Sequence, residues 1–62
     1  MKRESTLINW QIVDRGEWYC LRGNVMMDDR FSDGEMVTTS MLEKIDFKSN
    51  IAETRNTIYH LR

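Results

Sequence analysis

Two-residue alternation of side-chain character, with no proline anywhere to interrupt it, constrains this chain more than any other feature. From Thr6 to Asp14, Ile8, Trp10 and Ile12 fall on one side and Leu7, Asn9, Gln11 and Val13 on the other. That is the period of a strand, not of a helix. Arg15-Gly16-Glu17 supplies a short turn, and Trp18–Val25 alternates again with Tyr19, Leu21, Gly23 and Val25 sharing a face. Two such runs, rich in aromatic and β-branched residues and joined through a glycine, read as a β-hairpin. Glu35–Thr39 reads as a further short strand. After a break at Ser49-Asn50, Ile51–Thr54 and Thr57–Leu61 flank Arg55-Asn56 as a closing hairpin.

One segment argues for a helix. Ser40-Met41-Leu42-Glu43 carries the serine and third-position glutamate of a capping box, which predicts a helical turn with Met41, Leu42 and Ile45 inward. Ile45-Asp46-Phe47 alternates like a strand and leaves the length of that turn open. The expected fold is mainly β: a small antiparallel sheet or barrel of five to six short strands, with at most one short helix near 40–47. The expected organisation is one β domain over residues 6–62 behind a flexible N-terminus, residues 1–5.

A chain of 62 residues has room for one domain. It buries only about 60% of the surface its unfolded form exposes, so its stability is marginal unless something staples it. The single Cys20 cannot form an internal disulfide, and no Cys/His cluster for zinc is present. Packing alone remains, or packing with self-association, so a homodimer through a free strand edge is one expectation. Nine basic residues against ten acidic ones carry neither the signature of a nucleic-acid or membrane binder nor that of an acidic mimic. Met1-Lys2-Arg3-Glu4-Ser5 has the charge of a signal-peptide start, but Asn9, Gln11 and Asp14 interrupt the apolar run that should follow. No stretch approaches ~18 consecutive apolar residues. With a lone cysteine, these features predict a cytoplasmic protein with no membrane partner.

The segment Met26-Met27-Asp28-Asp29-Arg30-Phe31-Ser32-Asp33-Gly34 stands out as a polar loop framed by strands, a frequent place for function. Asp28, Asp29, Asp33 and Glu35 resemble a calcium loop, but their spacing is wrong for alternating oxygen ligands, and Arg30 intrudes among them. Asp33-Gly34 also fits an ordinary chain reversal. Arg30 and Phe31 are residue types enriched at binding hot spots, although Phe31 could equally fold back to plug the sheet. An outward methionine of the Met26-Met27 pair would extend an apolar patch beside Phe31. The expected contact residues are Asp28, Asp29, Arg30, Phe31 and Asp33, with Met27 and Trp18 as lesser candidates.

Cys20 and His60 could form a nucleophile–base pair only if adjacent strands brought them together, with Asp14 or Glu53 assisting. A half-buried cysteine and an edge histidine are the simpler reading, and neither catalysis nor a cofactor is expected. A nucleic-acid alternative would use Arg15, Trp18, Arg22 and Arg55, which interleave cations with stacking surface. Against it, Trp10 and Trp18 could pair across the first hairpin as sheet glue.

Taken together, Leu21-x-Gly23-x-Val25, Asp29-Arg30-Phe31-x-Asp33-Gly34, Thr39-Ser40-x-Leu42-x-x-Ile45-Asp46 and Thr54-x-Asn56-x-x-Tyr59-x-Leu61 give the chain a recognisable texture. It resembles the small uncharacterised open reading frames carried by bacteriophages and mobile elements. Several products of that kind inhibit host defence, anti-CRISPR proteins among them. The resemblance implies an accessory protein that acts by binding a host protein or protein complex.

Overall fold

A computed structural model describes residues 2–62, leaving Met1 outside the described residues. Among the described residues the fold is all β, with six strands and no helix: β1 (Arg3–Asp14), β2 (Tyr19–Met26), β3 (Glu35–Thr38), β4 (Lys44–Asp46), β5 (Ile51–Glu53) and β6 (Thr57–Leu61). They form one sheet in the order β3-β2-β1-β6-β5-β4. β1 starts inside the stretch expected to be a flexible N-terminus: Arg3 pairs with Thr57, and Lys2 bonds Glu53 at 3.0 Å.

Both expected hairpins form, β1 with β2 and β5 with β6, each antiparallel. The sheet as a whole is mixed, because β1 and β6 run parallel. The cause lies in the connection 39–43. It does not reverse the chain, so β4 continues in the direction of β3, and a second three-strand meander begins where the first ends. Two up-down-up meanders laid side by side must place their first and last strands parallel. The strand ladder stays open, with β3 and β4 as its unpaired edges, and no barrel closes.

The same connection overrides the capping box. Thr39 donates its backbone N–H to Leu21 O at 2.8 Å, and its hydroxyl accepts from Leu21 N at 2.9 Å. Leu42 N then bonds Tyr19 O, and Glu43 N bonds Glu53 O, each at 2.8 Å. The amides of Thr39, Leu42 and Glu43 are thus claimed by β2 and then β5. Tertiary pairing outweighs a local propensity worth about 1 kcal/mol.

The core comprises Leu7, Leu21, Val25, Ala52, Tyr59 and Leu61, with Trp10, Val37, Leu42 and Ile45 packed against it. Leu7 faces Val25, and Ile12 faces Leu21, across the β1–β2 ladder. Residues 7 and 12 share a face only because the ladder shifts register between Ile8 and Gln11, where Asn9 takes a left-handed φ of 52°. The simple alternation placed Ile8 with Trp10 and Ile12. In the fold, Leu7 takes the inward place before the bulge, and Trp10 and Ile12 take it after. Trp10 stacks on Phe47, ring centroids 6.4 Å apart, rather than on Trp18.

Gly23 makes this bulge feasible. A Cβ there would lie 2.8 Å from Ile8 O and 3.0 Å from Trp10 Cα, both backbone atoms unable to yield cheaply. Gly23→Ala is expected to destabilise the fold by about 1–3 kcal/mol, the usual cost of overpacking. Urea titration measures it. An unchanged midpoint would mean that the bulge is not seated against residue 23.

Candidate functional site

The Met26–Gly34 loop is braced from within. Asp28 has a side chain with 0% exposure, although it lies in a polar loop. Arg30 Nε donates to its Oδ1 at 3.1 Å and Nη2 to its Oδ2 at 2.8 Å, a two-pronged pairing. The Arg30 backbone N–H also donates to Oδ1 at 2.8 Å, closing a tight turn in which Phe31 N reaches Asp28 O at 3.2 Å. Ser5 and Tyr59, register partners on β1 and β6, supply the neighbouring hydroxyls. The pair therefore covers the polar end of the core, beside Ser5 and Tyr59.

Arg30 holds the Asp28 carboxyl at about 2, against an ordinary 3.8, through its side-chain and backbone hydrogen bonds and its charge, with burial opposing. Reciprocally, Asp28 raises the Arg30 guanidinium above its usual value, and the Tyr59 hydroxyl adds to this.

The other acids have separate tasks. Asp33 Oδ1 accepts from Met27 N at 2.8 Å, and Gly34, in a left-handed conformation (φ 88°), donates to Val25 O at 2.7 Å. Asp29 pairs with Arg3. Each carboxylate answers a different cation or amide, and among the described residues no three His, Cys, Asp or Glu side chains are grouped to hold a metal ion.

On this frame two apolar side chains face outward. Met27 is 78% exposed and sits at φ 58°, a conformation costly for a non-glycine residue. Phe31 is 38% exposed and outside the core cluster, with the Arg30 guanidinium 5.2 Å above its ring centroid. Asp28, by contrast, is enclosed and offers no surface to a partner.

The opposite end of the core is open and apolar. Ile12, Tyr19, Leu42, Ile45 and Phe47, with Glu43 and Lys44, line a cleft of about 350 Å³. Sequence reasoning did not assemble this cleft, because its residues come from β1, β2 and the 42–47 segment. The one available signal was the Ile45-Asp46-Phe47 alternation, which identified the segment as strand without showing what it faced.

The remaining candidates are dispersed. Trp18 lies in the β1–β2 turn, where its carbonyl accepts from Arg15 N at 2.9 Å. Arg55 lies in the β5–β6 turn beside the start of β1, whereas Arg15 follows its end. Arg22 sits mid-strand opposite Gln11 and Thr38, on the face away from Leu21 and Gly23. These four form no continuous patch. Cys20 is buried opposite Val13, while His60 pairs with Thr6 and holds Glu4 at 2.7 Å. Seven positions along β1 separate the two sites, roughly 20 Å. No helix among the described residues is long and apolar enough to cross a membrane. Comparison of the chain with protein-family models, with curated proteins and with solved structures returned no match.

The brace has a pH signature. The folded-state Asp28 value lies below the unfolded one, so its contribution is complete above pH 3.8 and is lost as pH falls through about 2. The shift corresponds to about 2 kcal/mol, an upper bound because Arg30 is partly solvated. Asp28→Asn should remove that stability at neutral pH and flatten the acid limb of the urea midpoint. An acid limb identical to that of the parent chain would show that Asp28 is not the titrating group.

Proposed function

We propose that this chain is a non-catalytic, cytoplasmic protein-binding module that inhibits a host complex by direct docking, as accessory proteins of bacteriophages and mobile elements do. The observation that carries the reading is Met27: an apolar side chain 78% exposed, held in a strained backbone conformation on a loop braced by Asp28–Arg30. Strain of this kind costs of order 1–3 kcal/mol and persists where surrounding structure imposes it, typically at functional sites.

Met27 and Phe31 supply the anchors, and Arg30 presents the rest of its guanidinium beside the Phe31 ring. Asp29 and Asp33 form the polar rim. Asp28 serves by fixing this geometry, which lowers the ordering cost of binding. Trp18 belongs to the far end of the β1–β2 hairpin and would join only a partner that wraps the domain. Such wrapping is feasible, since a standard interface takes ~800 Å² per partner and the whole chain exposes 4478 Å². The separation of Cys20 from His60 supports a mechanism without covalent chemistry, and the dispersion of Arg15, Trp18, Arg22 and Arg55 weighs against a nucleic-acid groove.

Met27→Gly separates binding from folding. Glycine relieves the positive φ, so stability should hold or rise by up to about 1 kcal/mol. Capture of a stoichiometric host protein from lysate containing defence complexes should fall by roughly tenfold or more, as should capture by Phe31→Ala. Undiminished capture by both folded variants would remove the loop as the contact surface. Salt-dependent retention on oligonucleotides without a protein partner would favour the nucleic-acid alternative.

A further inference from the structure

We propose that β4 is a self-pairing edge, and that two copies of this chain associate through it, antiparallel, about a two-fold axis at Ile45. This goes beyond the loop-mediated binding proposed above and does not depend on it.

β4 is a terminal strand with β5 on one side only. An unprotected edge is a template for another strand, and natural sheets usually blunt theirs. β4 is short and charged, yet it lies beside exposed apolar surface. Phe47, 59% exposed, follows it directly, and Ile12 and Tyr19 stand exposed across the cleft.

The charges on β4 select one register. With Ile45 opposite Ile45 of the second copy, Lys44 stands opposite Asp46 and Asp46 opposite Lys44. A shift of two residues one way sets Lys44 against Lys44, and the same shift the other way sets Asp46 against Asp46. Parallel in-register pairing brings both like-charge contacts at once. Opposite charges across a ladder stabilise it and like charges destabilise it, so the pattern favours the two-fold arrangement over its neighbours. The other edge, β3, offers no such selection, since Glu35 is its single charge.

Both groups are available for this pairing. The Lys44 side chain is 71% exposed, and its ion-pair contact with Glu53 is a loose 3.8 Å. Asp46 uses Oδ1 to accept from Lys48 N at 2.9 Å and Ser49 N at 3.4 Å, which fixes the carboxylate at the strand end, where an incoming ammonium would meet it. Three residues of strand are too few to hold a dimer alone. The apolar mouth formed by Ile12, Tyr19 and Phe47 supplies the additional area, and a two-fold contact is self-closing.

Sedimentation equilibrium and a charge-exchange pair test the proposal. The parent chain should show a monomer–dimer equilibrium ending at twice 7.4 kDa. Lys44→Asp and Asp46→Lys should each weaken self-association by roughly tenfold or more, while an equimolar mixture of the two recovers a heterodimer. If Asp46→Lys fails to fold for want of its turn, Lys44→Gln and Lys44→Asp carry the test. Association should then rank parent, Lys44→Gln, Lys44→Asp in decreasing strength. A monomer at every concentration, growth beyond a dimer, or a dimer indifferent to these folded variants would overturn the proposal.

Discussion

The contact between the Asn9 bulge and Gly23 is the constraint on which the rest of the structure depends. β1 and β6 form the seam between the two meanders, and β1, the longest strand, is held by β2 on one side and β6 on the other. It must therefore direct core residues inward along its whole length while changing partners partway. The left-handed turn at Asn9 shifts the inward set from Ser5 and Leu7 to Trp10 and Ile12, and Gly23 is the residue that lets the bulged backbone come close. Asparagine tolerates that φ better than most side chains, which accounts for its place at the bulge between Ile8 and Trp10.

From that bend follow two ends of unlike character. The end near Ser5 and Tyr59 is covered by a carboxylate and a guanidinium, while the end near Ile12 opens into a cleft lined mainly by apolar side chains, with Glu43 and Lys44 among them. A partly buried ion pair is a weak source of net stability, because desolvation cancels much of its attraction. Its distinctive effect is directional. Three donors converging on one carboxylate fix the path of residues 28–30, and that path sets where Phe31 and Met27 emerge. An apolar plug would seal the core equally well without orienting the loop.

The legible parts of this fold were those governed by local period. Both hairpins, the strand before Ser40 and the turns at Gly16 and Arg55-Asn56 follow from alternation and turn chemistry within a few residues. The parallel seam between β1 and β6 was not legible, because it depends on whether 39–43 reverses the chain, a matter settled by bonds to Leu21, Tyr19 and Glu53 far away in sequence. The capping box failed for the same reason. In the loop, the sequence could not rank the acids. Asp28, Asp29 and Asp33 look alike, yet only Asp28 lies two residues before an arginine that can fold back onto it over the Ser5–Tyr59 rung. The apolar cleft was hidden because residues 12, 19, 42, 45 and 47 converge only through the tertiary fold.

The placement of the two surfaces bears on how they would work together. The brace lies at the level of Ser5 and the cleft at that of Ile12, roughly 20 Å along β1. A copy paired at β4 would carry a second Met27–Phe31 loop into the same assembly. Two loops on one assembly raise affinity only for a partner that repeats its own site at a matching distance, because the second contact is then intramolecular. A target with a single site gains nothing from the second loop. On the two readings combined, a repeated or multi-subunit complex is the target this geometry would favour, and the spacing of the loops, rather than the affinity of either one, would set the discrimination.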